Sequence, residues 1–265
     1  MAEADEKYQV PAVVAAIKVL RELAKLPEPG ATLSSLVEIT GLSKSTMHNL
    51  LATLELNDFV RRDADTRMYC LGPALIPLGA AASEQVKLLG SAIEMVAPLA
   101  GELGLSFAVA QRTASLEVQI IDRFYPPSGV HVGINIGSTY GPLDGALGKI
   151  LLAGLDADQA REIIKSGSLP AHTSSTITKP GTLLEEVDRA REAGWAASRG
   201  ELNANYAVAA GIRGQSGELE LLLLALGFPA QLDDSRLDEV GEMLVDIADR
   251  VMNDAGVTPV VPPLA

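Results

Sequence analysis

Apolar residues recur every three or four positions through the first part of the chain, the spacing that places them on one face of a helix. The spacing predicts three helices, with apolar positions Val13, Ile17, Leu20 and Ala24 in the first, Leu33, Leu36, Val37 and Ile39 in the second, and Leu50, Leu51 and Leu54 in the third. Pro11 can open the first helix, because its missing N–H would have no partner there. Pro27, Pro29 and Gly30 are expected to end it, and the polar residues 1–8 are expected to be loose.

A glycine separates the second and third predicted helices, in the stretch G-L-S-K-S-T-M-H-N-L-L-A-T-L from Gly41 to Leu54. Thr32 and Ser43 each offer a hydroxyl that can cap the helix that follows. Short polar side chains and one cation crowd the first two turns of the third helix, at Lys44, Ser45, Thr46, His48 and Asn49. Two helices joined by a tight turn, with such a polar face on the second, are typical of a helix-turn-helix that reads DNA. An ordinary amphipathic surface helix is the alternative.

Two short strand-like runs follow, F-V-R-R and R-M-Y-C-L, joined by the polar tip D-A-D-T. Such runs predict a β-hairpin, so residues 10–72 are predicted to form a winged helix-turn-helix. The wing carries four side chains that can reach DNA phosphates, Arg61, Arg62, Arg67 and Tyr69. We expect the wing arginines to position the protein, while Thr46, His48 and Asn49 contact base edges. The alternative for the wing is solvated charge, because Asp63 and Asp65 offset part of the positive charge.

From Ala74 to Leu103 the helical spacing resumes, and it predicts a linker helix followed by a second helix that begins near Ser83. Beyond Gly104 the period changes to that of strands. The predicted strands are S-F-A-V-A-Q, E-V-Q-I-I-D-R-F and V-H-V-G-I-N-I in one group and Trp195–Arg199, Ala207–Arg213 and Glu218–Gly227 in another. Helices are predicted at Gly145–Ala153, near 158–165 and 182–193, and from Asp233 onward. This order indicates an α+β domain of the sensor type with an antiparallel sheet.

Acidic residues dominate the second part of the chain. The net charge is −13; residues 1–75 contribute −2, from 8 basic and 10 acidic side chains, and residues 76–265 contribute −11, from 13 and 24. An acidic body repels polyanions in general but leaves room for a small phosphate-binding patch. Aromatic residues make up 4% of the chain, so aliphatic side chains and alanine must form the cores.

The single cysteine, Cys70, excludes an intrachain disulfide and a thiolate metal cluster. The three histidines lie far apart in the sequence, so neither a metal site nor a cofactor is predicted. No signal peptide is expected, and the apolar run Leu219–Phe228 fits a buried strand better than a membrane span. The sequence therefore predicts a cytoplasmic protein without a membrane partner.

The stretch G-P-L-D-G-A-L-G-K-I, residues 141–150, suggests a phosphate-binding loop at first sight. The Walker pattern requires glycine where Leu143 stands and serine or threonine where Ile150 stands, so a nucleotide site of that kind is excluded. The stretch still opens a helix, and backbone N–H groups at helix N-termini bind anions. No nucleophile and base occur together with supporting context. A small-molecule-converting enzyme domain fused to a helix-turn-helix is therefore the weaker alternative to a regulator.

Taken in order, several stretches resemble the IclR family of bacterial transcription regulators. They are T-L-S-S-L-V-E-I-T-G-L-S-K-S-T-M-H-N-L-L-A-T-L, the wing end Y-C-L-G-P, P-L-D-G-A-L-G-K-I-L-L-A, A-G-W, and E-L-x-A-x-Y-A-V-A-A-G-I. The resemblance implies a winged helix-turn-helix at 1–72, a linker helix at 73–82, a GAF-like effector-binding domain at 83–254 and a tail at 255–265. It also implies a homodimer or homotetramer that binds double-stranded operator DNA and responds to a small organic acid.

The resemblance further implies an effector pocket lined by Val132, Tyr140, Gly145, Ala146, Leu147, Ser198, Ala207, Ala225 and Gly227. Small residues in the last strands predict a roomy cavity, and the N–H groups near Gly145 suit a carboxylate. An aromatic or medium-sized organic acid is therefore expected, with hydroxybenzoate-like compounds as the first candidates. The alternative is that the small residues let the sheet pack tightly against its helices and leave no cavity. The chain departs from the family pattern at Asn49, where arginine is usual, and at Asp144, where histidine is common.

Overall fold

The computed structural model describes residues 10–26, 30–85 and 87–257, and it divides the chain after Gln85 into two compact units. Three expectations fall outside the described residues: the loose start over residues 1–8, the helix end at Pro27 and Pro29, and the tail from residue 258 onward. The boundaries assigned to the four segments of the chain stay predictions.

The N-terminal unit contains α1 (Pro11–Lys25), α2 (Leu33–Thr40), α3 (Lys44–Leu56), β1 (Val60–Arg62), β2 (Tyr69–Leu71) and α4 (Leu75–Gln85). The two strands pair antiparallel as a hairpin. Both predicted caps are present, because Thr32 Oγ1 accepts a hydrogen bond from Ser35 N–H and Ser43 Oγ accepts one from Thr46 N–H. Gly41 ends α2 with φ of 71°, a left-handed conformation that glycine adopts at little cost. The predicted helix-turn-helix and its hairpin wing are confirmed.

The core of this unit differs from the prediction at α1. The helix buries Ala15, Val19 and Leu23, whereas Val13 and Ile17 are 53% and 44% exposed. Leu20 packs against the core as predicted, but the assignment of Val13 and Ile17 was wrong because α1 is apolar on two sides, and spacing alone does not say which side meets the core. An apolar stripe therefore remains on the surface of α1.

The C-terminal unit contains six helices and six strands within the described residues. They are α5 (Lys87–Val96), α6 (Leu99–Leu103), β3 (Ser106–Arg112), β4 (Val118–Phe124), β5 (Thr139–Tyr140), α7 (Gly145–Ala153), α8 (Ala157–Ser166), α9 (Pro180–Ala193), β6 (Trp195–Arg199), β7 (Tyr206–Arg213), β8 (Leu219–Gly227) and α10 (Asp234–Asp254). The strands form one antiparallel sheet in the order β5-β4-β3-β8-β7-β6. The predicted α+β class with an antiparallel sheet is confirmed.

Alternate residues of these strands point to opposite sides of the sheet. One side, here called the α10 face, packs Phe107 and Ala225 against α5 and against α10 residues such as Leu244. The other side, called the α7 face, packs Leu222 and Leu224 against α7, α8 and α9. Each face thus has its own apolar core, and the sheet lies between them.

The strand predicted for V-H-V-G-I-N-I, residues 130–136, is wrong: the structure describes these residues without regular strand pairing, and the edge strand β5 comes later. The Tyr125 hydroxyl donates to the carbonyl of Ile134 and accepts from its N–H, both at 2.8 Å. Gly129 and Gly137 flank the segment with φ of 92° and 85°. The backbone that a strand would pair is therefore held by a side chain, although Val132 and Ile134 are buried as the alternation suggested.

Candidate functional site

The outer face of α3 presents the five side chains predicted to meet DNA. All of them are exposed: Lys44, Ser45, Thr46, His48 and Asn49. Met47 and Leu51 anchor the opposite face in the core. Ser43 Oγ lies 3.0 Å from Ser45 Oγ and 2.8 Å from Thr46 Oγ1, so these two hydroxyls belong to the helix cap. The ammonium, imidazole and amide groups on the same face are the ones best placed to reach a ligand.

The tip of the wing is held by one carboxylate. Asp63 Oδ1 accepts hydrogen bonds from the N–H of Thr66 at 2.7 Å, from the Thr66 hydroxyl at 2.7 Å and from the N–H of Asp65 at 3.1 Å. These hydrogen bonds, that from the Thr66 N–H foremost, hold the pKa of Asp63 below its usual value. Arg67 follows in a left-handed conformation, with φ of 58°. The ordered tip leaves the three wing arginines exposed, Arg61, Arg62 and Arg67.

The prediction that Tyr69 touches phosphate was wrong. Tyr69 is only 7% exposed and belongs to the core of the N-terminal unit. Its backbone forms a bridge with Ala31, and the guanidinium of Arg62 lies 5.4 Å from the centre of its ring. β2 pairs with β1 and, at Tyr69, with Ala31, and this pairing turns the Tyr69 ring toward the core. The Tyr69 ring therefore contacts the Arg62 guanidinium from the side of the core.

A cavity of about 50 Å³ opens on the α7 face of the sheet. Five of the nine predicted pocket residues line it: Tyr140, Ala146, Leu147, Ser198 and Ala207. Six further residues that the sequence did not single out as lining also surround it: Asp144, Leu202, Asn203, Asn205, Leu224 and Leu226. The sheet therefore leaves a cavity on this face, but the walls are bulkier than predicted.

Ala225 and Gly227 lie on the other side of β8, which corrects their predicted place in the cavity wall. Ala225 is fully buried in the core of the α10 face, and a Cβ at Gly227 would lie 2.7 Å from Leu105 Cδ2. A shift of one residue along a strand exchanges the two faces. Val132 also lies away from the cavity, where its carbonyl accepts a hydrogen bond from Ser106 Oγ at 2.7 Å.

The first turn of α7 meets the cavity with its N–H groups unused. Asp144 is the N-cap residue, but its side chain makes no capping hydrogen bond. Within the described part of the chain, the N–H groups of Gly145, Ala146 and Leu147 have no hydrogen-bond partner. Gly145 has φ of 54°, and a Cβ there would lie 3.2 Å from Ser198 Oγ. Ala146 and Leu147 line the cavity, so two of these donors and the positive end of a helix border it. Gly145, predicted to line the same cavity, lines a neighbouring pocket with Leu143 and Leu169 instead.

Ser198 faces the same cavity from β6. The residue is 4% exposed, and its hydroxyl makes no hydrogen bond to any residue that the structure describes. Among the described residues no fully buried side-chain oxygen lacks a hydrogen-bond partner, so the Ser198 oxygen reaches the surface of the cavity. The Ser198 hydroxyl is therefore available to a molecule in the cavity.

Asp144 and Tyr140 form the polar side of the cavity. Asp144 Oδ2 accepts a hydrogen bond from Gly141 N–H at 2.7 Å, which ties the loop before α7 together. Burial raises the pKa of Tyr140, and the negative charge of Asp144 raises it further. Tyr140 therefore keeps its phenolic proton and can donate a hydrogen bond into the cavity. The sequence signal for Asp144 was its position immediately before the helix.

Lys149 is a buried charge that the sequence reasoning did not identify. Its side chain is 2% exposed, yet its Nζ donates to Glu201 Oε1 at 2.6 Å, to the carbonyl of Ala197 at 2.7 Å and to Glu186 Oε2 at 3.3 Å. Burial lowers the pKa of Lys149, and the negative charge of Glu201 opposes that shift. The only sequence signal was a lysine inside the otherwise apolar helix G-A-L-G-K-I-L-L-A.

The loop between β6 and β7 is fixed at its base by these contacts. Besides the pairing of Glu201 with Lys149, the Thr173 hydroxyl donates to the carbonyl of Gly200 and the Thr176 hydroxyl donates to the carbonyl of Glu201, both at 2.6 Å. The tip of the loop supplies three cavity residues, Leu202, Asn203 and Asn205. The buried lysine therefore positions part of the cavity wall without touching the cavity.

The loop before α7 lies close to the helix at Gly148. A Cβ on Gly148 would lie 2.7 Å from the carbonyl oxygen of Pro142 and 2.9 Å from that of Gly141. Only glycine permits this close approach of α7 to the loop that precedes it.

No three or more His, Cys, Asp or Glu side chains in 10–26, 30–85 and 87–257 are grouped so that they could hold a metal ion. No helix within the same ranges has both the length and the apolar character needed to cross a membrane.

Comparison with known families gives two matches that together span most of the chain. The family described as "IclR helix-turn-helix domain" matches residues 12–64, and the family described as "Bacterial transcriptional regulator IclR C-terminal" matches residues 80–253. The HTH-type transcriptional regulator KipR of Bacillus subtilis is 27% identical over 234 residues, which cover 88% of this chain and 93% of KipR.

Solved structures show the same architecture. A crystal structure of an IclR transcriptional regulator from Alicyclobacillus acidocaldarius matches with a TM-score of 0.86 and 31% identity, covering 94% of this chain and 100% of that chain. An IclR homologue from Microbacterium hydrocarbonoxydans, complexed with 4-hydroxybenzoate, matches with a TM-score of 0.76 and 21% identity over 93% of this chain and 100% of that one. The second likeness concerns the fold alone.

Proposed function

The chain belongs to the IclR family of bacterial transcription regulators, and from that premise we propose that it is a homo-oligomer that binds operator DNA under the control of a small organic effector. The observation that carries this proposal is the outer face of α3, where a capped helix exposes a lysine, a histidine and an asparagine beside an arginine-bearing wing. KipR and the Alicyclobacillus protein are regulators of transcription, so we propose no catalytic step. Its partner is chromosomal DNA, which places it in the cytoplasm.

We assign base contacts to His48 and Asn49 and phosphate contacts to Lys44 and the wing arginines. An asparagine amide can pair bidentately with adenine in the major groove, whereas ammonium and guanidinium groups bind phosphates of any sequence. The hydroxyls of Ser45 and Thr46, which serve the cap, are proposed to contact the phosphate backbone or bases after releasing Ser43. Tyr69 is not part of this assignment because it is buried.

The partner that completes the DNA-binding unit is a second copy of this chain. Four residues of α1 and its N-cap recur at helical spacing on the surface: Val10, Val13, Val14 and Ile17, exposed by 59%, 53%, 44% and 44%. A contiguous exposed apolar stripe of this kind marks an interaction surface. A dimer formed there supports two recognition helices about 34 Å apart, one turn of the DNA helix. A homodimer or a homotetramer is consistent with this surface.

We place the effector in the cavity on the α7 face. The unused N–H groups at the start of α7 and the unpaired hydroxyl of Ser198 supply polar contacts, and leucines supply apolar walls. The effector proposed from the sequence is an organic acid, with hydroxybenzoate-like compounds first. The complex of the Microbacterium homologue with 4-hydroxybenzoate supports testing that class.

The direct test is binding to the DNA upstream of the protein's own operon, measured by fluorescence anisotropy at several salt concentrations. Wild-type protein is expected to prefer that DNA over a scrambled sequence of the same length. Asn49→Ala is expected to reduce the preference by about five- to a hundredfold, the range for losing one bidentate base contact. Asn253→Ala, an exposed change at the end of α10, serves as the matched control.

Arg67→Ala should instead weaken binding to both DNAs equally and lower the salt slope by about 1. Equal affinity of the wild-type protein for operator and scrambled DNA at physiological salt would contradict the proposal. Effector control is tested by adding a hydroxybenzoate to the same DNA-binding assay. A hydroxybenzoate that stabilises the protein in a concentration-dependent way should also change its affinity for operator DNA.

A further inference from the structure

The cavity on the α7 face has an unusual balance of charge for a site that takes organic acids. Its polar lining consists of the Asp144 carboxylate, the Tyr140 and Ser198 hydroxyls and the amides of Asn203 and Asn205. Among the residues that line it in the described part of the chain, there is no lysine, arginine or histidine. The single charged group at the cavity is therefore negative.

The nearest cations are already engaged elsewhere. Lys149 lies one turn further along α7, but its Nζ is held by two carboxylates and a carbonyl. Arg199 follows Ser198 on β6, so it points to the other side of the strand, where its Nε lies 2.5 Å from Asp234 Oδ1. Neither side chain can turn toward the cavity without breaking an ion pair, so no positive side chain offsets Asp144 there.

Donors and an acceptor therefore meet at one end of the cavity. The N–H groups of the first turn of α7 can only donate, and the Asp144 carboxylate can only accept. A hydroxyl group satisfies both, because it accepts from an N–H and donates to the carboxylate at the same time. A carboxylate satisfies only the N–H groups and is repelled by Asp144.

Resting on the effector site proposed above, we infer that Asp144 is a specificity-determining residue which makes this end of the cavity select a hydroxyl group over a carboxylate. The effector carries a hydroxyl that donates to Asp144, and Ser198 is the second polar contact on the facing strand. An effector that is also an acid holds its carboxylate at the opposite end, toward the amides of Asn203 and Asn205. A small acid with no hydroxyl is a poor ligand.

Matched pairs of probes test this inference, each pair differing only in a CH₂OH group or a carboxylate: benzyl alcohol and benzoate, and propan-1-ol and propionate. Dissociation constants are measured on the full chain by thermal shift over a concentration series and by titration calorimetry. For at least one pair, wild-type protein is expected to bind the alcohol at least tenfold more tightly than the acid. Asp144→Asn keeps an oxygen for Gly141 N–H, and it should bring the two constants within about threefold, mainly by improving acid binding.

Asp238→Asn is the charge-matched control, because it removes the same charge from the exposed surface of α10 and should leave the preference unchanged. The inference is overturned if the acid of each pair binds as well as the alcohol, if neither alcohol binds, or if the preference survives Asp144→Asn. Operator binding is measured on the same preparations. Absence of the alcohol preference in the wild-type protein, with intact operator binding, overturns the role of Asp144 alone, whereas absence of operator binding overturns the proposed function whatever the probes show.

Discussion

The two faces of the six-stranded sheet are built from neighbouring residues of the same strands, yet only the α7 face contains the cavity described here. On the α10 face, Ala225 lies opposite Phe107 in the strand pairing, and the small residue lets the helix and the large ring pack together without a gap. On the α7 face, the next residue along, Leu224, reaches the wall of the cavity. On β8, a leucine therefore borders the cavity, whereas the alanine beside it is packed on the closed face.

The comparison shows what small residues in a strand indicate. Gly227 and Ala225 were expected to leave room for a ligand, but they leave room for protein: Gly227 is met by Leu105 and Leu232. On α10 the same device recurs, because a Cβ on Gly241 would lie 2.2 Å from the Trp195 ring. Small residues on β8 and α10 mark close approach of packed elements, whereas the loop after β6 supplies three of the residues that line the cavity.

The largest effect is expected from breaking the charge cluster under the α7 face. Lys149→Met leaves the carboxylate of Glu201 buried without its cation, and the loss of one partner from such a pair costs about 3–5 kcal/mol of unfolding free energy. Urea denaturation measures this cost, with Lys165→Met, on the exposed side of α8, as the control. A loss below about 1 kcal/mol would mean that the carboxylates are hydrated and that the lysine does not hold the loop.

A smaller loss of stability is expected from two overpacking variants, one on each face of the sheet. Ala225→Phe forces a ring into the packed α10 face and should destabilise the protein by about 3 kcal/mol, the upper part of the usual range for overpacking. Ala207→Phe puts the same ring into the cavity and should cost about 1 kcal/mol while abolishing ligand-induced stabilisation. Thermal denaturation with and without ligand distinguishes the two, and equal costs for both variants would contradict the distinction between the faces.

The smallest effect concerns alkaline pH. The pKa of Tyr140 is raised above 10.0 by burial and by Asp144, so the folded protein holds this proton more tightly than the unfolded chain. The resulting stabilisation is complete below pH 10 and is lost as the pH rises through the folded-state pKa. Tyr140→Phe should therefore flatten the fall in melting temperature above pH 10, and Asp144→Asn should shift that fall to lower pH. An unchanged profile in Tyr140→Phe would refute this assignment.

The ends of the short helices could be predicted from the sequence, because they depend on residues that are close together in the chain. Thr32, Gly41 and Ser43 define the ends of α2 and α3 through their own hydrogen bonds and dihedral angles, and these were predicted correctly. The buried side of α1 and the inward face of β8 depend on which element packs against them, which spacing does not state. Residues 130–136 alternate like a strand, but Tyr125 takes their hydrogen bonds.

The cavity shows the same limit. Its main helix was predicted from the sequence pattern, and five of its lining residues were implied by the family resemblance. The partner of Lys149 could not be predicted, because Glu201 is 52 residues away in the sequence and only the assembled sheet brings the two together. The role of Asp144 likewise became visible only when the cavity showed no cation to oppose it.

The close approach at Gly148 limits how this protein can change over evolution. Because any side chain there would strike the carbonyl of Pro142, a substitution at Gly148 would force α7 away from the loop that precedes it, so glycine is required at this position. New ligand preferences must then arise by exchanging side chains around an unmoving backbone, at positions such as Asp144, Ser198 and Ala207. Descendants of this chain are therefore expected to diverge at those three positions long before they diverge at Gly148.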